Sequence, residues 1–83
     1  MEKKILIQEL IDIIKKNFPI QQSINEHTAL INDKVLDSLE FMNYLTEIEI
    51  KFKIKVSDDD IFSKQLGIIG NMADFIIKQT QNS

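Results

Sequence analysis

The chain has no cysteine, no arginine and no tryptophan, and only one proline, two glycines and one histidine among its 83 residues. Without cysteine there is no disulfide, no thiolate nucleophile and no sulfur ligand for a metal, so stability has to come from packing alone. Without arginine, all ten basic residues are lysines, and the planar fork that grips phosphate or guanine in two places is missing. Together with a formal charge of −3, this argues against nucleic acid as a partner. No apolar run approaches the roughly 18 residues needed to span a bilayer, which argues against membrane insertion. Acids also interrupt the opening "MEKKILIQELIDIIKK", where a signal peptide would be continuous and apolar, and a cytoplasmic protein is expected.

Hydrophobic residues form 43% of the chain and charged residues 28%, a globular composition. At this length one core is all that can be buried, and a single domain over residues 1–83 is expected. The charges are unevenly placed: residues 37–60 hold seven acids and three lysines, whereas residues 1–36 hold five of each. The negative field therefore gathers around and after Ser38, where it suits a partner with a basic surface.

Leu6, Leu10 and Ile13, with Ile7, Ile11 and Ile14, make two adjacent rows at i, i+4, i+7 and predict a helix with a wide apolar stripe. It should end near Asn17 or Phe18, because Pro19 disfavours helical geometry just before it. Residues 19–36 have no sustained period, only anchors at Ile20, Ile24, Leu30 and Ile31, and predict a long connection packed over the core. After that the pattern fits two periods. Phe41, Leu45, Ile48 and Phe52 follow a helix, while Ile48, Ile50, Phe52, Ile54 and Val56 alternate as a strand does. No second alternating run exists to pair with such a strand, so a helix over about 38–52 is predicted, passing into an extended segment through Ile54 and Val56. Ser57 with Asp60 three residues on reads as a capping box opening a short helix that closes by Gly67. Asn71 with Asp74 reads as the cap of a last helix whose apolar face is Met72, Ala73, Phe75, Ile76 and Ile77. The polar tail, about 80–83, is expected to fray. The sum is an all-α fold: a small four-helix bundle of three main helices and one short one, with the long loop between the first and second. Phe18, Phe41, Phe52, Phe62 and Phe75 fall on or near the apolar stripes and are expected in the core.

Little in the chain suggests catalysis. Ser38 has no G-x-S-x-G elbow, and the only imidazole is His27, eleven residues upstream in the connection. Asp58, Asp59 and Asp60 are consecutive and cannot converge on a cation as the spaced acids of a calcium loop do, so no metal site is expected. Lys51, Lys53 and Lys55 read as a solvated face. In "KVLDSLEFMNYL", Asp37 as N-cap and Glu40 at the third helical position complete a capping box. That account leaves Ser38 over, an exposed hydroxyl at the first helical position, where unpaired N–H groups and the helix dipole favour a phosphate bonded to it. With no base beside it, another protein must carry out any transfer to it.

The D-S-L triplet at Asp37, Ser38 and Leu39, the long loop before it, the helix after it, the acidic "SDDDIF" and the closing "IIGNMADFI" resemble the acyl carrier proteins over nearly the whole chain. The resemblance implies that Ser38 is esterified with 4′-phosphopantetheine by a phosphopantetheinyl transferase using coenzyme A. The arm's thiol then carries acyl groups as thioesters to loading, acyltransfer and condensing enzymes of fatty-acid, polyketide or related biosynthesis. It further implies a monomeric, non-enzymatic carrier in which Asp37, Leu39, Glu40, Met42 and Glu47 meet partners. The residues themselves equally allow Met42 to be core edge and Glu47 a solvated acid. Two features depart from the family. Its common glycine before the aspartate is replaced by "KVL", so that "VLDS" is closer to the "LLDS" of D-alanyl carrier proteins. Asn43 and Thr46 also stand where acids or bulkier apolar residues are usual. A D-alanyl, aminoacyl or peptidyl carrier of a specialised pathway is therefore an equal expectation. A small helical interaction module without a prosthetic group is the alternative of another class.

Overall fold

The computed structural model describes residues 2–81, and within them four helices follow one another: α1 Lys3–Asn17, α2 Ser38–Phe52, α3 Asp58–Ser63 and α4 Ile69–Gln81. The described residues contain no strand, only an isolated antiparallel bridge between Ala29 and Ile68. The all-α four-helix bundle expected from the sequence is the fold.

Both rows of the α1 stripe turn inward: Leu6, Leu10, Ile11, Ile13 and Ile14 are buried and Ile7 packs beside them. The helix stops where Pro19 requires, with Phe18 extended and its N–H donating to the Ile14 carbonyl. Helix α1 packs most extensively on α4 and then on α2. Lys3 and Asp74 form an ion pair at 3.1 Å between α1 and α4. Leu6, Leu10 and Ile14 from α1, Tyr44 and Ile48 from α2, and Ile69, Met72 and Ile76 from α4 are fully buried, joined by Leu30 and Leu66 from the connections. The strand-like alternation after Ile48 resolves as a helix ending. Lys53 takes the left-handed conformation with φ 56°, and its N–H and that of Ile54 both donate to the Glu49 carbonyl. The Glu49 carboxylate then accepts the Val56 N–H at 2.9 Å, which holds Ile54 and Val56 against the core.

The capping box of α3 forms as predicted from Ser57 and Asp60. The Lys64 ammonium, 2.9 Å from Asp60, is the main cause that holds this carboxyl below its usual range, with Ser57 second. Its contribution to stability is thus present above the unfolded carboxylate pKa and is lost as pH falls through the lower folded value. The helix itself ends at Ser63, earlier than Gly67, and residues 64–67 form turns.

Two expectations are corrected. Asn71 does not cap α4, which begins two residues earlier; its side chain instead donates to the Gln65 carbonyl. The donors at the start of α4 are taken by backbone: Ile69 N–H donates to the Thr28 carbonyl and Gly70 N–H to that of Glu26, at 3.1 and 2.8 Å. The long connection does what a capping side chain would otherwise do. Phe62 is not in the core; it is 83% exposed. A helix of six residues turns one side inward, and Ile61 occupies that side half-buried. Of the tail expected to fray, Thr80 and Gln81 are helical, with the Thr80 hydroxyl donating to the Ile76 carbonyl; Asn82 and Ser83 lie outside the described residues.

Two substitutions test this packing. A Cβ added at Gly70 would lie 2.9 Å from the Glu26 carbonyl oxygen, a backbone atom that must shift and weaken its bond to the Gly70 N–H. Gly70→Ala should therefore lower unfolding stability in urea by about 1–2 kcal/mol, despite a helix-propensity gain of about 1 kcal/mol. Among the described residues the buried Tyr44 hydroxyl has no hydrogen-bond partner, and burial alone pushes its pKa well above the ordinary tyrosine value. Because an unmatched buried hydroxyl costs about 1–3 kcal/mol, Tyr44→Phe should leave stability unchanged or raise it by about 1 kcal/mol.

Candidate functional site

The start of α2 is fixed from both sides. Upstream, Leu36 is buried, and its N–H and that of Val35 converge on the Leu30 carbonyl at 3.0 Å each. Downstream, Asp37 Oδ1 accepts the Glu40 N–H at 2.8 Å, and Glu40 Oε1 accepts the Asp37 N–H at 2.9 Å. This is the reciprocal capping box read from the sequence. It uses the side chains of both acids and leaves Ser38, the first residue of α2, exposed. The Ser38 hydroxyl has no hydrogen bond among the described residues, and the N–H groups of Ser38 and Leu39 have no acceptor there. A free hydroxyl thus stands beside two free backbone donors at the positive end of a helix dipole, a donor set that fits a phosphate ester.

Around the hydroxyl, Leu39 is 73% and Met42 56% exposed. Neither is core edge; with Asp37 and Glu40 they form an apolar surface bordered by two carboxylates. Glu47 is not part of this group. It is five residues beyond Met42, about 140° further round the helix, and lines a polar groove with Glu9, Asp12 and Lys16 of α1. Next to α2 lies an open, largely apolar groove of about 310 Å³ bounded by Ile31, Phe41, Ile61, Phe62 and Ile68. The sequence reading missed it because Phe62 was assigned inward. The signal was available in the length of α3, which is too short to bury two apolar faces.

Among the described residues no group of three or more His, Asp or Glu is placed to hold a metal ion. His27 is exposed on the connection, its N–H donating to Asn25 Oδ1 and its ring 3.9 Å from Glu26. No described helix is long and apolar enough to cross a membrane.

Comparison with curated proteins supports the resemblance to the acyl carrier proteins. The chain is 25% identical over 77 residues, 92% of its own length and 94% of the relative's, to a protein of Lactobacillus acidophilus named acyl carrier protein. No family model matches the chain, and no solved structure gives a significant match.

The first residue of "KVL" is strained. Lys34, four residues before Ser38, adopts φ 58°, a left-handed conformation that costs a side chain with a Cβ about 1–2 kcal/mol. Its place is held by its N–H on the Ile31 carbonyl at 3.0 Å and by Gln22 on its own carbonyl. Lys34→Gly should relieve this strain and raise stability by about 1 kcal/mol in urea unfolding, after the larger entropy loss of glycine is subtracted.

Proposed function

We propose that the chain is a free-standing acyl carrier, with Ser38 as the attachment point of 4′-phosphopantetheine. The observation that carries this reading is the isolation of the Ser38 hydroxyl: exposed, unbonded and at the first position of a helix whose start is built by its neighbours. The relative over nearly the whole chain supports it independently.

In the loading reaction the Ser38 oxygen bonds to the phosphorus of coenzyme A that carries the pantetheine arm, and the phosphoanhydride bond breaks. The nucleotide leaves, and the serine proton passes to a base. Ser38 has no such base within the chain, so a phosphopantetheinyl transferase supplies it. When attached, the arm contributes a thiol on which acyl cargo is held as a thioester. The residues around Ser38 act before and after that step. The N–H groups of Ser38 and Leu39 face the phosphate position. Leu39 and Met42 offer an apolar contact, and Asp37 and Glu40 give it a negative border that meets a positively charged partner surface. Glu47, two turns along, belongs to a separate flank that a larger partner reaches. The groove beside Phe41 is one helical turn from Ser38 and offers an apolar chain a place out of water.

Loading, acyltransfer and condensing enzymes of fatty-acid, polyketide or related biosynthesis are the partners on this reading, in the cytoplasm. A D-alanyl, aminoacyl or peptidyl cargo is the second reading. It is favoured by Asn43, Thr46 and Ile50, which give the outward side of α2 few acids. Either way docking is weak and brief, because a shuttle held tightly by one enzyme cannot reach the next.

Incubating the protein with coenzyme A and a broad-specificity phosphopantetheinyl transferase should add one phosphopantetheine to the intact mass. The gain should be absent in Ser38→Ala, whose helical circular dichroism should match the parent. No gain at all, or a gain that persists in Ser38→Ala, overturns the assignment and leaves a helical interaction module without a prosthetic group.

A further inference from the structure

The groove beside Phe41 has one firmly held wall and one loosely held wall. The firm wall is Phe41, on the buried side of α2, with Ala29 and Ile31 of the connection, which Leu30 between them clamps to Gly67, Val35 and Leu36. The opposite wall is Ile61, Phe62 and Gln65, from α3 and the turn after it. From Ser57 to Gln65 no side chain is buried, and α3 takes no part in the extensive packing of α1 on α4 and α2. Both flanks of this stretch are anchored. The Val56 N–H is held by the Glu49 carboxylate and its side chain packs on the core, while Leu66 is fully buried. Beside the second anchor Gln65 has φ 51°, a left-handed conformation unfavourable for a residue with a Cβ.

The bonds of the stretch are mostly its own. Ser57 and Asp60 cap each other's backbone, Asp60 holds Lys64 at 2.9 Å, and the Leu66 N–H reaches back to the Ile61 carbonyl. Among the described residues three links cross to the core and α4. Ile61 packs half-buried on the core, the Lys64 ammonium lies 5.9 Å from the centre of the Phe75 ring, and the Asn71 side chain donates to the Gln65 carbonyl at 3.2 Å. A segment with so few buried apolar contacts opens well short of global unfolding. Its internal bonds keep it helical when it does.

We propose that α3 is a lid on this groove: it swings on Val56 and Leu66 as an intact helix and is held shut by Lys64 and Asn71. When it lifts, Ile61 and Phe62 move away together, and Phe41 and Ile68 lose their cover on that side. A shallow recess then becomes a slot open towards the core. The Lys64 ammonium serves as the latch, because it joins the acid that caps α3 to an aromatic ring of α4. Access to the groove is set in this way whether or not Ser38 is loaded.

NMR relaxation dispersion on the full chain, with labelled isoleucine methyls and backbone carbons, reads such an opening on the µs–ms scale. Ile61 and Ile68 should exchange with a minor state of about one per cent, while the fully buried Ile14 and Ile76 should not. The minor-state Cα shifts of residues 58–63 should remain helical. Lys64→Gln and Asn71→Ala should each raise the open population about threefold, and the double variant about tenfold. Lys78→Gln, on the same surface beside Lys64 and Phe75, should leave it unchanged. Circular dichroism checks that each variant folds. Absence of exchange at Ile61 and Ile68 in the double variant overturns the proposal. So does exchange shared equally by Ile14 and Ile76, which marks global unfolding, and so do random-coil shifts for residues 58–63, which mark melting of α3. An effect of Lys78→Gln as large as that of Lys64→Gln removes the latch.

Discussion

Leu30 is the joint on which the arrangement depends. Its side chain is fully buried in the core. Its N–H donates to the Gly67 carbonyl at 2.8 Å just before α4, and its carbonyl takes the N–H groups of Val35 and Leu36 just before α2. A buried backbone group left unmatched costs as much as a lost hydrogen bond; at Leu30 both groups are matched, one by the segment before α2 and the other by the segment before α4. The connection between α1 and α2 would otherwise be free to wander. Through this residue it is tied to the start of α4, and the start of α2 is tied to it. Thr28 and Glu26 extend the tie by accepting from Ile69 and Gly70. The orientation of Ser38 is therefore a consequence of tertiary hydrogen bonds, whereas its freedom is a consequence of local capping.

That division also explains what the sequence disclosed. Period and capping are local, and they located the end of α1 and the starts of α2 and α3 to within a residue or two, together with the box formed by Asp37 and Glu40. The start of α4 was misplaced because Asn71 is a plausible cap in isolation. The carbonyls that serve instead come from some forty residues upstream and carry no local signal. Tyr44 was passed over for a related reason: a phenol that is buried without a partner violates the rule by which buried polar groups are recognised. Phe62 was misassigned by treating an aromatic near a stripe as buried without asking whether six residues can bury it. At the site, Ser38 was legible by subtraction, once its neighbours had structural reasons. The departure of Glu47 from the face of Met42 follows from helix geometry alone and was available in the spacing.

Helix α2 combines three kinds of surface on one rod. Its inner side, Phe41, Tyr44, Leu45 and Ile48, is core. Its first turn carries an unbonded hydroxyl between two structural carboxylates, and its outer side leaves Leu39 and Ile50 in water. Apolar residues scattered over a surface need no explanation.

The capping box also constrains how the site can be dissected. Asp37 and Glu40 border Ser38 and at the same time close the start of α2, so removing either carboxylate changes the helix terminus, at a cost of about 1 kcal/mol, as well as any contact to a partner. A loss of docking in such a variant would not show which of the two had been lost. Leu39, Met42 and Ser38 have no such double duty: they are exposed, and the described structure gives none of their side chains a hydrogen bond. For the carrier reading this is an advantage in the design of the site itself. Because the core and the clamps at Leu30 order the backbone before any partner arrives, little ordering entropy is left to lose on binding. A small contact around the serine then suffices, and its residues can vary with the partner without loss of the fold.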